Sequence, residues 1–205
     1  LQLSGMATKH IAAMETDDIA VLSTSQLKAM SSLQLSALTS GQMAAMTTAQ
    51  VSSLSTNQLS ALATMAVAGM ETQDLVLLSS AQLNSLKSGQ IAALGTDQVA
   101  SLTTKQVLNL SNTQLNNLTT VQVAAMTSDQ LTTLTTKQLS ALSSKLIAAL
   151  ETDNLAALTT VQTAALTSAQ LASLTTAQVS ALTTLQISKL SSVQLAGLSS
   201  TQIRA

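Results

Sequence analysis

The sequence contains no cysteine, proline, phenylalanine, tyrosine or tryptophan. Without cysteine the chain has neither disulfides nor thiolate metal ligands, and it gives no indication of a redox compartment. The absence of aromatic rings removes the side chains on which nucleic-acid bases stack. Charged residues make up only 8% of the chain and its net charge is −1. We therefore expect no nucleic-acid partner and no anionic membrane partner.

Side chains that could carry chemistry are equally scarce. His10 is the only histidine, and six glycines form no phosphate-binding loop. A lone histidine without cysteine leaves no pair of nucleophile and base. Polar residues recur every eight positions, so no apolar run reaches the length of a transmembrane helix. We expect no enzyme activity, no catalytic residue, no cofactor and no membrane insertion.

What the sequence does contain is an eight-residue repeat. From Ala7 it divides into 25 consecutive octads without insertion or deletion, the last one residue short. Position two is Ser or Thr except at Asn112, position five is apolar except at Thr163, and position eight is Leu or Met. Position four is Gln in 19 octads. The period predicts one continuous array over residues 1–205, which we expect to be a fragment of a longer chain.

The apolar positions five and eight determine the expected fold. Eight residues overshoot two turns of an α-helix by about 80°, so one continuous helix cannot hold these positions on one face. A strand places residues three apart on opposite faces. The octad therefore predicts an all-α solenoid of very short helices, about six residues each and one per octad, which stack because such helices are unstable alone. A β-solenoid is the alternative.

Ser and Thr are the residues that most often cap the start of a helix. We therefore predict N-caps at position two, for example at Thr24, Thr48, Thr104, Thr120 and Thr176. Position one is also often Ser or Thr, and Thr119 with Gln122 has the spacing of a capping box, which would place the cap one residue earlier. Because position one also accepts Ala, Glu, Lys and Gly, position two is preferred.

The glutamines at position four form a column if the octads stack in register. Their amides can bond to neighbouring glutamines or to free backbone groups at helix ends. A role as a mere helix former would also allow Glu or Lys at position four, and neither occurs there. We predict a ladder or capping role for this column, for example for Gln26, Gln50, Gln90, Gln122, Gln138 and Gln178.

Six octads without Gln at position four occur as three adjacent pairs, here called the Gln-free pairs: residues 7–22, 63–78 and 143–158. The second octad of each pair begins with Glu-Thr. In the first pair, Glu15, Asp17 and Asp18 are weak candidates for a divalent-cation site, since calcium prefers oxygen ligands. The preferred interpretation is that these acids complement the dipole of a helix N-terminus, because no pair has the ligand number that calcium requires.

The pattern [Ser/Thr]-[Ser/Thr]-x-Gln-[apolar]-x-x-Leu, as in 175–182, resembles octapeptide repeats of very long bacterial surface or secreted proteins with labels such as adhesin or haem utilisation. The resemblance covers the whole chain. It implies an extracellular or cell-surface location, with surface glycans or a host surface among the partners. The glycine-aspartate calcium repeats of some such proteins are missing here. Since His10 is the only strong axial ligand, haem binding is not expected.

These observations favour a structural protein that forms an extracellular stalk, a spacer, or a self-assembling filament or sheath. The alternative is a solenoid module of an adhesin that binds a ligand, a glycan or ice. Self-association is expected because position three, which should face solvent, carries apolar residues in several octads. These are Leu33, Val121, Val161, Leu185 and Val193. We expect copies of the chain to be its partners, either end to end or side by side.

Overall fold

A computed structural model describes residues 3–204, and all regular structure in that range is helical. A 3₁₀ turn at Leu3–Gly5 is followed by 25 α-helices of four to six residues, one in each octad. The range contains no strand. The predicted all-α fold with one short helix per octad is confirmed, and the β-solenoid alternative is wrong. None of these helices is long and apolar enough to span a membrane.

The chain divides into two compact units, and the first is described from Leu3 to Leu102. Its helices are α1 Thr8–Ala12, α2 Thr16–Ala20, α3 Thr24–Lys28, α4 Ser32–Leu35, α5 Ser40–Ala44, α6 Thr48–Ser52, α7 Thr56–Ala61, α8 Thr64–Ala68, α9 Thr72–Leu75, α10 Ser80–Asn84, α11 Ser88–Ala92 and α12 Thr96–Ser101.

The second unit is described from Thr103 to Arg204. Its helices are α13 Thr104–Leu108, α14 Asn112–Asn116, α15 Thr120–Ala124, α16 Ser128–Thr133, α17 Thr136–Ala141, α18 Ser144–Ile147, α19 Thr152–Ala157, α20 Thr160–Ala164, α21 Ser168–Ala172, α22 Thr176–Ala181, α23 Thr184–Ser188, α24 Ser192–Ala196 and α25 Ser200–Ile203.

Within each unit a helix packs against the helix three octads further along the chain. In the first unit this holds from the α1–α4 pair to the α9–α12 pair, and in the second from α13–α16 to α22–α25. Each turn therefore takes between three and four octads and lies on the previous one. This is the arrangement of a helical solenoid, in which each repeat buries its apolar face against its neighbours.

The core of each unit is built from positions five and eight, as the sequence predicts. In the octad of α3, for example, Leu27 is fully buried and Met30, just after the helix, is 3% exposed. Positions one and three are mostly exposed, and positions six and seven are partly covered. The glutamine of position four is also buried in most octads. Most octads thus bury three side chains, those of positions four, five and eight, against the neighbouring turns.

The corners between helices use ordinary backbone conformations. At the corner between α22 and α23, Leu182 has φ −66° and ψ 132°, and Thr183 has φ −69° and ψ 154°. The described residues include no positive φ and no cis peptide bond. Because two extended residues suffice to turn the chain, the corners require neither glycine nor proline. This accounts for the scarcity of both residue types.

Small residues at position seven permit close approach of one turn to the next. The clearest case is Gly69 at the end of α8, which packs on α5. A Cβ atom at Gly69 would lie only 2.7 Å from the Cα of Ser40. Backbone contacts of this kind cannot be relieved by side-chain movement, so a larger residue at Gly69 would separate the two helices.

We expect Leu139→Ala to lower the free energy of unfolding by about 2–5 kcal/mol, since Leu139 is fully buried at position five of α17. Urea-induced unfolding followed by far-ultraviolet circular dichroism measures the change. The matched control is Lys137→Ala in the same helix, at exposed position three, with an expected change within about 0.5 kcal/mol. Equal losses in the two variants would contradict the assignment of position five to the core.

Candidate functional site

The helix caps lie at position one, not at position two. At α22 the hydroxyl of Thr175 accepts from the backbone N–H of Gln178 at 3.2 Å, and Gln178 Oε1 accepts from the N–H of Thr175 at 2.8 Å. This reciprocal pair is a capping box. The prediction of caps at position two is therefore wrong, because these residues are the first residues of their helices: Thr24, Thr48, Thr104, Thr120 and Thr176.

The physical reason for the error is that position one does not need a side chain. Half of the capping box joins a backbone N–H to the glutamine, and this half persists without a hydroxyl. The N–H of Gly95 donates to Gln98 Oε1, and the N–H of Lys87 donates to Gln90 Oε1, both at 2.7 Å. The variety of residues at position one, which favoured position two in the sequence, reflects this tolerance.

The column of glutamines links successive turns through the backbone. In α21, Gln170 is 1% exposed, and its Nε2 donates to the carbonyl oxygens of Leu139 at 2.8 Å and Leu142 at 2.7 Å. These acceptors precede Gln170 by 31 and 28 residues, at the C-terminal end of α17. Gln170 Oε1 meanwhile accepts from the N–H of Thr167 at 2.7 Å. One amide therefore serves two helix ends.

The same bonds recur at the glutamines singled out from the sequence. Nε2 donates to backbone carbonyls one turn away at Gln50, Gln90, Gln138 and Gln178. Gln26 and Gln122 accept from the N–H of position one of their own octads. At Gln50, Gln90, Gln138 and Gln178, Nε2 thus bonds to the backbone of an earlier octad rather than to another glutamine.

The chemistry of these contacts explains the choice of glutamine. An amide side chain has an acceptor oxygen and two N–H donors, and the site uses both functions. Glutamate would supply only acceptors, and lysine only donors. Since the side chain is buried, an unmatched group would cost about 1–3 kcal/mol. Position four therefore contains neither glutamate nor lysine, although an exposed helical position would accept both.

The Gln-free pairs replace these bonds with other contacts. In the pair at residues 143–158, the N–H of Ser143 has no glutamine at position four of its octad. Asn116 from α14 takes that role: its Oδ1 accepts from the Ser143 N–H at 2.8 Å, and its Nδ2 donates to the carbonyl of Ala141 at 2.9 Å. Sequence reasoning missed this role of Asn116, because Ala141 and Ser143 lie more than 20 residues away.

Position four of the second octad in these pairs is filled by a shorter polar residue. Asp74 accepts from the Thr48 hydroxyl at 2.6 Å, and Asn154 accepts from the Ser128 hydroxyl at 2.8 Å. Thr48 and Ser128 occupy position two, 26 residues earlier in each case. These hydroxyls thus link one turn to the next, a role different from the capping role predicted for position two.

The weak metal candidates lie on the surface of the first unit. Glu15 precedes α2, Asp17 and Asp18 lie in its first turn, and all three are exposed. Among residues 3–204, no three His, Cys, Asp or Glu side chains come together as a metal site would require. His10 is likewise exposed. The described part of the chain assembles no cation site around these acids.

Repeated short helices joined by a buried amide column define an α-helical repeat protein. A family model named ALTTAQ repeat matches residues 11–48, 67–104 and 147–184, which together are more than half of the chain. The chain belongs to this family. Each match begins at position five of the first octad of a Gln-free pair, so each match includes the whole second octad of that pair. A search of the curated proteins finds no match.

The cap position can be tested with neighbouring threonines of α22. Thr175→Ala removes the hydroxyl that accepts from Gln178, and we expect a loss of about 0.5–2 kcal/mol in unfolding free energy. Thr176→Ala, at exposed position two, should change it by less than about 0.5 kcal/mol. Urea unfolding of the two variants measures the difference. If Thr176→Ala lowered the free energy of unfolding as much as Thr175→Ala, the cap would be assigned to position two.

The role of the amide can be tested by Gln170→Glu. The variant keeps the acceptor for the Thr167 N–H but turns a carboxylate oxygen toward the carbonyls of Leu139 and Leu142. We expect a loss of at least about 3 kcal/mol at neutral pH, because a buried charge loses its partners. Ala169→Glu is the control, since it adds the same charge at the adjacent exposed residue of α21. Comparable stability of the two variants in thermal unfolding would refute the buried amide role.

Proposed function

We propose that this chain is a structural, non-catalytic repeat protein that serves as a spacer or stalk and associates with copies of itself into a filament or sheath. The observation that supports the structural role is the buried amide column. In each unit, it joins the N-terminal end of one helix to the C-terminal end of a helix in the preceding turn. Bonds of this kind at nearly every turn favour a rigid support over a surface that reshapes around a ligand.

The proposal of self-association rests on exposed apolar side chains at position three. In the second unit, Val161 is 67% exposed and Leu185 is 62% exposed. They lie on α20 and α23, which pack against each other. Most other large apolar side chains of this unit lie in its core. A patch of this kind favours contact with an apolar surface, since removal of such side chains from water is favourable.

A surface hollow next to this patch recurs in the other unit. Val161 borders a hollow of about 400 Å³ with Ala164, Ala165 and Thr136. In the first unit, Met65 borders a hollow of about 410 Å³. Its lining also includes Ala68, Gly69 and Ser40, which lie twelve octads before Ala164, Ala165 and Thr136 at the same octad positions. Shallow hollows beside protruding apolar side chains on the same chain favour a second copy as the partner.

The extracellular or cell-surface location is part of this proposal and rests on the resemblance of the octads to those of bacterial surface proteins. Membership of the ALTTAQ repeat family supports a repeat protein, and the location needs its own experiment. Neither the resemblance nor the family membership depends on a particular chemical group of the chain. The self-association is the part of the proposal that the isolated protein can test directly.

We expect the double variant Val161→Gln, Leu185→Gln to weaken self-association at least about tenfold, because each side chain contributes about 1.5–3 kcal/mol when it is buried in an interface. Sedimentation velocity over a range of micromolar concentrations measures the association constant. Circular dichroism verifies that the variant keeps its helices.

The matched control is Ala169→Gln, Ala177→Gln, which adds the same side chains at position three of two neighbouring octads where no large apolar residue is lost. It should leave association unchanged. A parent chain that stays monomeric at every concentration, or a control that weakens association equally, would show that these side chains do not mediate assembly.

A further inference from the structure

The exposed apolar pair of the second unit has a positive charge beside it. Lys189 follows Leu185 by four residues, and residues four apart on a helix lie on the same side. Lys189 is exposed and lines the hollow that Val161 borders, and none of the lining residues of this hollow is acidic. We call Val161, Leu185 and Lys189 the Val161 patch. It combines protruding apolar side chains with one cation.

The equivalent surface of the first unit has a different shape. Met65 and Gly89 lie twelve octads before Val161 and Leu185, at the same octad positions. Met65 protrudes and is 68% exposed, but Gly89 has no side chain where Leu185 has a large one. A Cβ atom at Gly89 would lie 3.6 Å from its nearest neighbour, which is an ordinary contact. Packing within the unit therefore does not require glycine at this position.

The charge at this surface of the first unit is also different. The hollow that Met65 borders shares three lining residues with a second hollow of about 510 Å³, and Glu71 and Asp97 line that second hollow. Both acids are exposed. Neither hollow has a basic residue in its lining, and Lys87 at the start of α11 borders neither of them. We call Met65, Gly89, Glu71 and Asp97 the Met65 patch.

We propose that the Val161 patch of one copy of the chain binds the Met65 patch of another copy. In this contact Lys189 faces the carboxylates of Glu71 and Asp97, and Leu185 covers the surface beside Met65 at Gly89. The proposal rests on the self-association proposed above and adds which two surfaces meet.

Charge favours this pairing of unlike patches over the pairing of like patches. Two Val161 patches in contact would bring Lys189 against its own counterpart. Two Met65 patches would bring Glu71 and Asp97 against theirs. Like charges placed together across an interface weaken it, whereas complementary charges speed the encounter and select the partner. The unlike pairing avoids both repulsions.

The pairing of unlike patches has a consequence for the assembly. A contact between two different surfaces is heterologous, and each bound copy offers a further patch to the next copy. Such contacts produce a ring if the rotation between copies closes, and an open filament if it does not. A contact between like patches would instead produce a symmetric pair.

Two variants that each lose one patch test this pairing. Val161→Gln, Leu185→Gln alters the Val161 patch, and Met65→Gln, Gly89→Gln alters the Met65 patch at the same octad positions. Each variant alone should remain largely monomeric at a concentration at which the parent chain associates. Their equimolar mixture should form a heterodimer, because each variant supplies the patch that the other lacks. Sedimentation velocity with interference optics measures this, since the chain has no aromatic residue.

Circular dichroism verifies that both variants keep their helices. Dimers of either variant alone would show that like patches pair. A mixture that stays monomeric would show that the unlike patches do not meet. Either result overturns this proposal, and self-association still stands if the parent chain associates. A parent chain that stays monomeric at every concentration would overturn both proposals.

Charge reversal provides a second test. Lys189→Glu should weaken the association of the chain about fivefold, and adding Glu71→Lys and Asp97→Lys to the same chain should restore it. Lys145→Glu is the matched control, since it reverses an exposed charge of the same unit outside the Val161 patch and should leave association unchanged. A failure of the reversed acids to restore association would contradict the proposed contact.

The unaltered chain supplies a third measurement that does not depend on the folding of a variant. Its association should weaken as the ionic strength rises, because salt screens attraction between exposed charges. Sedimentation velocity at low and at high salt measures the change. Association that is unchanged or strengthened by salt would overturn the pairing of Lys189 with the two acids.

Discussion

The structure depends on one buried interaction, the amide of position four. A helix of four to six residues leaves almost all of its backbone N–H and C=O groups without partners inside the helix. Gln162 shows how the amide resolves this at both ends. Its Oε1 accepts from the N–H of Thr159 at 3.0 Å, and its Nε2 donates to the carbonyls of Leu131 at 3.0 Å and Leu134 at 2.8 Å. Helices too short to persist alone become stable because these hydrogen bonds supply partners for the backbone groups at their ends.

The same interaction restricts the sequence around it. The N–H of position one must remain available to the glutamine oxygen, so proline cannot occupy that position. The amide must reach carbonyls 28 and 31 residues earlier, which requires an unchanged number of residues in each turn. An inserted residue would move the amide away from its acceptors in the next turn. The uninterrupted period of eight residues from Ala7 onward is thus a geometric requirement of the column.

Much of the fold could be predicted from the sequence because it depends on local spacing. Apolar residues three apart at positions five and eight, as at Leu27 and Met30, indicate one short helix per octad and a core built from these two positions. The number of octads per turn could not be predicted, since it depends on how helices pack rather than on the composition of one octad. The acceptors of Gln170 and the partners of Asn116 could not be predicted either, since they too depend on how the helices pack.

The cap position illustrates a different limit. Thr175 and Thr176 are the same residue type, and either can cap a helix. The more uniform composition of position two favoured Thr176, but the structure places the cap at Thr175. The uniform composition of position two was misleading. In every Gln-containing octad the shared hydrogen bond joins the backbone N–H of position one to the glutamine Oε1, so the side chain of position one is free to vary. At position two, hydroxyl groups such as those of Thr48 and Ser128 instead reach the following turn.

The Gln-free pairs show how the column can be interrupted without loss of the stack. At Ser143 an asparagine from an earlier helix closes the N-terminus, and at Asn154 a shorter amide reaches one carbonyl instead of two. Matches to the ALTTAQ family begin at each of these pairs, after intervals of 56 and 80 residues. Both intervals are whole multiples of eight, so the register of the octads is kept while the length of uninterrupted column varies. In a linear array, stability depends on the contacts between neighbouring repeats. The interruptions therefore divide the Gln-containing octads of the sequence into runs of unequal length, separated by octads whose contacts differ chemically from the rest.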